Sequence, residues 1–323
     1  MSYVLIAGLF ARLTNSTSTQ TVDFRTTGND PVNPVQSPLH QKKWMHGVAD
    51  CKSNTDPAIE VFRYDQTSYI LRQNKCLSYE APFMYLLFGE NKILLLDTGA
   101  TKSAVDFPLY ETVQALIVEF GEAEKRELVV IHSHHHTDHY AGDSQFAGQQ
   151  NITLVETTGA AMHEFFAFEQ WPNSEAYLDL GDRKLTIIPT PGHQEDAISL
   201  YDPQTKWLLA GDTIYPGHVH VKNWDEYTKS VARLTEFVQT HEVSTVLGAH
   251  IEMTNTPGET YPVGTIYQPD EAPLVLASEN IAALHAALEQ LDTPSEIIFD
   301  DFIVAPMGIV QKTVSNVVRW FMR

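Results

Sequence analysis

The sequence predicts an α/β protein built as two layered sheets with helices packed on them. Its first half is dominated by short apolar runs that read as consecutive hairpin strands. In its second half such runs alternate with amphipathic stretches of helical period. A third observation points the same way: several residues suited to chemistry follow directly on apolar runs, at the ends of strands.

In chain order, the first strands are read at Ala58 to Arg63, Ser68 to Leu71, Phe83 to Phe88 and Lys92 to Leu96, with the GEN of 89–91 as a tight turn. Residues 104–120 suit an amphipathic helix, and Glu127 to Ile131 a buried strand. Ile152 to Val155 follows as a strand and Gly159 to Gln170 as a helix. Strands are then expected at Lys184 to Ile188, Ile198 to Tyr201, Trp207 to Ala210 and Thr245 to Leu247, with a helix over Trp224 to Thr240. The stretch from Glu252 to Pro273 is long for a plain connector, which marks it as the border of a site. Ile281, Leu284, Leu288 and Leu291 recur at helical spacing, as do Val314, Val317, Val318 and Phe321, and both stripes are read as core faces.

Composition excludes several classes. With 43% hydrophobic residues the 323-residue chain has ample core for a globular protein. No apolar run approaches the ~18 residues that a membrane span needs, which predicts a soluble chain. The 21 basic and 41 acidic residues leave a net charge of −20, which weighs against DNA or RNA as partner. Residues 1–45 differ in texture. An apolar YVLIAGLF near the start has no Lys or Arg before it, so its leader signature is incomplete, and TGNDPVNPVQSP at 27–38 reads as a linker. The division expected is an N-terminal extension over 1–45 and one large domain over 46–323. Location follows from the start: periplasmic or secreted if it is a leader, cytoplasmic otherwise. Cys51 and Cys76 cannot build a four-cysteine zinc site; they are either a disulfide or two separate buried thiols.

The densest chemistry lies in HSHHHTDHYAG, residues 132–142. Alternate residues of an extended chain share a face, so His134 and His136 point one way and His135 the other. Asp138 and His139 follow where the chain turns. Imidazoles and a carboxylate converging within one turn make a metal cup, suited to Zn²⁺ first and to Mn²⁺ or Fe²⁺ as alternatives. A solvated histidine tract is the plainer reading, but VVI runs straight into the cluster and fixes it to a strand end. His132 and His135 are given structural roles. His193, Asp212 and His250 each stand at the end of another apolar strand and complete the set.

His-x-His-x-Asp-His at 134–139, Gly-His at 193, Asp at 212 and Gly-His at 250 together resemble the metallo-β-lactamase superfamily, as does LLLDTGA ending at Ala100. The resemblance implies an αβ/βα four-layer sandwich with two facing mixed sheets. It implies that His134, His136 and His193 hold one divalent ion and Asp138, His139 and His250 a second, with Asp212 bridging. The function it implies is metal-dependent hydrolysis by a hydroxide shared between the two ions, with Asp138 also handling protons of nucleophile and leaving group. Asp97 is a candidate to support a ligand or merely to cap its turn.

Asp212 resembles the pattern of the glyoxalase II and lactonase branches rather than that of true β-lactamases. Tyr215, three residues on, matches a tyrosine of acyl-homoserine lactonases, where a hydroxyl can stabilise an oxyanion. A small-molecule ester or lactone is therefore the expected substrate. Phosphodiester, β-lactam or thioester hydrolysis on the same site, and a mononuclear iron dioxygenase, are the alternatives. His136 stands where flavodiiron proteins carry glutamate, which argues against those. An aspartic-protease reading of Asp97-Thr98-Gly99 fails for want of a second Asp-Thr-Gly. The aromatic groups Phe83, Met84, Tyr85 and Phe165, Phe166, Phe168, Trp171 are expected mainly in the core, a few lining an acyl cleft, and His218 and His220 on the surface near its mouth. The oligomeric state stays open.

Overall fold

The computed structural model describes residues 20–25, 38–121, 126–308 and 311–312. The leader and linker readings and the stripe from Val314 to Phe321 lie outside them, apart from Pro38.

The first sheet holds six strands: β2 (Ile59–Arg63), β3 (Ser68–Gln73), β4 (Phe83–Phe88), β5 (Lys92–Leu96), β6 (Glu127–Ile131) and β7 (Ile152–Leu154), side by side in that order. The first four form an antiparallel meander, and β6 and β7 add in parallel. The second sheet repeats the plan, in the order β14 (Val275–Leu276), β13 (Thr245–Gly248), β11 (Trp207–Gly211), β10 (Ile198–Asp202), β9 (Lys184–Pro189), β8 (Ala176–Asp179). There β8 to β11 are antiparallel and β13 joins β11 in parallel. A four-stranded sheet lies apart, in the order β1 (Thr21–Asp23), β15 (Glu296–Ile298), β16 (Ile303–Pro306), β12 (His218–Val221).

Period-two alternation sorts the apolar residues into layers. Leu94 and Leu96 of β5 face the second sheet's Leu185, Ile187, Leu200 and Leu209 in a central core, whereas Ile93 and Leu95 face outward. That outer face is covered by α1 (Leu109–Phe120), through Leu109, Val113 and Ile117. The outer face of the second sheet is covered by α4 (Trp224–Thr240) and α5 (Ser278–Glu289), through Val231, Leu234, Ile281 and Leu284. Helix, sheet, sheet, helix is the four-layer αβ/βα sandwich. Two short helices, α2 (Thr137–Tyr140) and α3 (Gly159–Phe166), lie in connections. The chain before residue 46 takes part as well: β1 pairs with β15, and Leu39 and Trp44 are buried in the central core. Among the described residues no helix is long and apolar enough to cross a membrane.

Several bounds differ from the sequence reading. The helix expected from 104 starts at Leu109, because Pro108 precedes it. The helix expected to reach Gln170 stops at Phe166, where Ala167 turns left-handed at φ 50°. Strands β8 and β12 were not foreseen: AYLD and HVHV alternate correctly but carry few apolar side chains.

Away from the strand ends described below, Arg183 joins the two sheets. Its guanidinium donates to Asp202 (Nε to Oδ1, 2.9 Å), to the Thr67 and Phe88 carbonyls (3.0 and 3.1 Å) and to Ser68 Oγ (2.9 Å). Both charges are fully buried. Burial alone would raise the Asp202 carboxyl, but Arg183 and Thr205 hold it below the ordinary 3.8. A group depressed on folding contributes stability above its unfolded value and loses it as pH falls through the folded one. Arg183→Met is expected to cost about 3–5 kcal/mol by leaving a buried charge unpaired, and Arg183→Met/Asp202→Leu to recover much of it. In the wild type the clamp's contribution persists down to about pH 4 and fades only below it. Denaturant melts from pH 7 to 3 check both.

Cys51 and Cys76 form a disulfide, with Cα atoms 5.4 Å apart across a separation of 25 residues. Cysteine-to-serine replacement of the pair should lower stability by roughly 3–4 kcal/mol from lost chain restraint, read as a drop in thermal midpoint.

Candidate metal centre

The carboxyl ends of β5, β6, β9, β11 and β13 meet at one edge, and the residues that follow them line a single pit. His134 and His136 come from the loop after β6, Asp138 and His139 from α2, His193 from the turn after β9, Asp212 from the end of β11 and His250 from the end of β13. All seven sequence candidates are brought together, in two overlapping groups. His134, His136, His193 and Asp212 have ligand atoms within 4.8 Å of one another, as do Asp138, His139, Asp212 and His250.

Asp212 belongs to both groups. Its Oδ2 lies 3.7 Å from His134 Nε2 and 3.5 Å from both His193 Nε2 and His139 Nε2, and its Oδ1 lies 3.4 Å from His250 Nε2. Asp138 Oδ2 is 3.2 Å from both His139 Nε2 and His250 Nε2.

Outer partners set the direction of each ring. His193 Nδ1 donates to the His220 carbonyl at 2.7 Å, His250 Nδ1 to the Glu80 carbonyl at 3.1 Å and His139 Nδ1 to Asp97 Oδ2 at 2.9 Å. Each thereby turns Nε2 into the pit. His136 instead presents Nδ1, 2.9 Å from His134 Nε2 and 3.0 Å from His193 Nε2. Ring nitrogens this close can share a proton as hydrogen bonds or a cation as ligands. His139 Nε2 and Asp212 Oδ1 are buried without a hydrogen-bond partner, which in a native pit calls for an ion or water. The donor set fits divalent metal.

The two groups differ electrostatically. Burial pushes His134 well below the usual histidine range, lowers His193, and takes His136 down to about 3, so these rings are neutral and ready to ligate. Burial would do the same to His139 and His250, but neighbouring carboxylates overcome it. Asp138, Asp97 and Asp212 hold His139 well above the usual range, and Asp212 and Asp138 raise His250 to about 9. Both aspartates are correspondingly held far below theirs against the opposing effect of burial: Asp138 by His139 and His250, Asp212 by His250 and His139. A metal held by His139 and His250 would take the place of those protons.

The turns that deliver these residues need glycine. A Cβ on Gly192, at φ +150°, would stand 2.5 Å from the Tyr227 Cα, and one on Gly211, at φ +52°, would stand 2.7 Å from the Ser133 Cβ. Asp97 is itself left-handed at φ 68°, which aspartate tolerates. Its carboxylate accepts from Ser133 N at 2.7 Å and Ser133 Oγ at 2.9 Å besides His139.

The remaining sequence candidates fall outside the pit. His132 pairs with Asp143 at 2.8 Å and His135 meets the Thr157 carbonyl at 2.7 Å. His218 and His220 are half-buried, stacked 4.6 Å apart, rather than on the surface. Tyr215 is buried with its ring 5.5 Å from His250, and its hydroxyl donates to the His218 carbonyl (3.0 Å) and Glu252 (3.2 Å). Phe83, Met84 and Tyr85 are core. Phe166 lines a small cavity with Ile131, Val155 and Met162 against His134. The 252–273 stretch does border the site: Glu252 holds Tyr215 and the His218 amide, and Glu271 anchors to Arg72 through two bonds of 2.7 and 2.6 Å. Sequence reading missed Ser133, Gln194, Glu80 and Glu252. Gln194 and Glu252 stand within two residues of a ligand, a signal that was available, whereas a backbone carbonyl such as that of Glu80 leaves no trace in residue type.

Asp97→Ala removes acceptors from both Ser133 and His139. It is expected to weaken metal uptake about 10–100-fold, measured by competition with a chromophoric chelator.

Comparisons with known proteins give the family. The family model of the metallo-beta-lactamase superfamily matches residues 80–264. The acyl-coenzyme A thioesterase MBLAC2 of Gallus gallus is 25% identical over 202 residues, covering 53% of this chain and 72% of that protein. A hydroxyacylglutathione hydrolase of Bartonella tribocorum is 32% identical over 83 residues, 26% of this chain and 32% of that one. Among solved structures, a metallo-beta-lactamase from Erythrobacter litoralis superposes with TM-score 0.48 at 15% identity, covering 72% of this chain and 97% of that chain. With the family model spanning more than half of it, the chain belongs to the metallo-beta-lactamase superfamily.

Proposed function

We propose that the chain is a dinuclear metal-dependent hydrolase that cleaves a carboxylic ester or lactone bond. His134, His136, His193 and Asp212 would hold one Zn²⁺, and Asp138, His139, His250 and Asp212 the other. The observation that carries this reading is Asp212, which stands between the groups: its Oδ2 lies 3.5 to 3.7 Å from His134, His193 and His139, and its Oδ1 3.4 Å from His250. Two such ions, when bound, supply a hydroxide nucleophile near neutral pH and a Lewis acid at the substrate carbonyl.

The chain's own residues account for the rest. Asp138 Oδ2 lies 3.2 Å from both His139 Nε2 and His250 Nε2, where its carboxylate could accept the nucleophile's proton and pass it to the leaving group. Tyr215 stands next to His250; to stabilise an oxyanion its hydroxyl would exchange the His218 carbonyl for substrate.

A thioester is the second reading, favoured by the name acyl-coenzyme A thioesterase borne by a relative similar over half of this chain. The two readings separate at the leaving group. A thiol leaves with a pKa of about 8.5 and needs little protonation, whereas an alcohol needs much more.

The test is a hydrolysis screen of metal-loaded protein on lactones, aryl esters, thioesters, phosphodiesters and a β-lactam. Chelation should abolish turnover and two equivalents of zinc restore it. Asp138→Asn should lower kcat about 10²–10⁴-fold on alkyl esters and lactones, and distinctly less on thioesters. Tyr215→Phe should lower kcat by about 10²-fold with little change in thermal midpoint if its hydroxyl meets the oxyanion; an unchanged kcat removes it from the chemistry. Efficient β-lactam turnover without ester activity would overturn the ester or lactone reading, and oxygen consumption by a one-iron protein would overturn the hydrolase assignment itself.

A further inference from the structure

An imidazole that ligates through one nitrogen is set by whatever accepts the proton on the other. For His193 and His250 that acceptor is a backbone carbonyl, and for His139 it is the Asp97 carboxylate. His136 is held differently. It presents Nδ1 to the pit, and its Nε2 lies against the side-chain amide of Gln194, a residue only 2% exposed, with the amide nitrogen placed nearest the ring. On the reading of the pit as a metal site, we propose that Gln194 is the positioning residue for His136. With the amide turned end for end from the placement in the structure, its oxygen accepts the His136 Nε2 proton and leaves Nδ1 bare for the metal.

A carboxamide can offer either an acceptor or a donor, and the neighbours decide which. His193 spends its proton on the His220 carbonyl, so its Nε2 is a bare lone pair. That lone pair points at His136 Nδ1 from 3.0 Å. With a cation held among these nitrogens, His136 Nδ1 is bare as well, its single proton lies on Nε2, and only an acceptor fits against it. Gln194 follows His193 directly in the chain, and the Gly192 amide closes the turn onto the Gln194 carbonyl at 3.0 Å. Backbone and side chain of one residue thus set two ligands from different loops, His193 and His136. Tyr227 packs against this turn, where a Cβ on Gly192 would collide, so the turn has little room to shift.

Two variants of the full chain, loaded with cobalt(II), test this. Gln194→Met keeps the length and loses the acceptor; Gln194→Glu keeps an acceptor and cannot donate. Gln194→Met is expected to bind cobalt about 10–100-fold more weakly and to lose one solvent-exchangeable, hyperfine-shifted ring N–H proton resonance. Gln194→Glu is expected to keep that resonance and bind like the parent. Parent-like affinity and spectrum in Gln194→Met, or loss in Gln194→Glu equal to that in Gln194→Met, overturns the assignment while leaving the metal site intact. A parent protein that takes up no cobalt overturns the metal reading itself. Should Gln194→Met fail to fold, Gln194→Glu decides alone, because a donor role for the amide would make it lose the metal.

Discussion

The pit depends on how Ser133 is held. Its amide and hydroxyl bond the Asp97 carboxylate at the end of β5, and its carbonyl accepts from the Ile198 amide of β10 at 2.9 Å. One residue therefore ties the first sheet to the second at the edge where the ligands gather. Its Cβ also lies against Gly211, the residue before Asp212. With Ser133 fixed, the next six residues leave the strand along one path, and His134, His136, Asp138 and His139 have little freedom in where they point. The Arg183 clamp plays the equivalent part elsewhere between the sheets, with a fully buried ion pair in place of a serine.

The electrostatics follow from what the two sheets enclose. A chain carrying −20 overall places two carboxylates and five imidazoles in one buried volume. Without a cation such an arrangement is costly: His139 and His250 carry charge against Asp138 and Asp212, while three neutral rings crowd nitrogen on nitrogen at 2.9 and 3.0 Å. The interior is thus organised around positive charge that side chains supply only in part. The outer hydrogen bonds from Asp97, Glu80, His220 and Gln194 keep the rings from relaxing out of this arrangement.

The sequence made much of this legible, for identifiable reasons. The alternation of Ile93, Leu94, Leu95 and Leu96 matches a strand buried on both faces, and the structure sends those residues to different cores. The seven pit residues were legible because each stands at the end of an apolar run. Strand β12 was obscured by its histidines, and β1 and β15 by their brevity. Tyr215 shows another limit. Its spacing from Asp212 was visible, but its hydroxyl's attachment to Glu252 depends on a loop whose path the sequence does not encode locally. The disulfide was undecidable from two cysteines alone and needed the distance between their backbones.

The small four-stranded sheet has a consequence for the order of events at the ribosome. Strand β12 pairs with β16, which is made more than eighty residues later, and β1 pairs with β15 across nearly the whole chain. The His220 carbonyl that orients His193 belongs to β12. Both large sheets can therefore be complete on a nascent chain while one imidazole still lacks its final support, since domains close as their last segments emerge. Maturation of the pit is tied to the chain's far end, and ion capture before release would meet a less rigid receptor than capture afterwards.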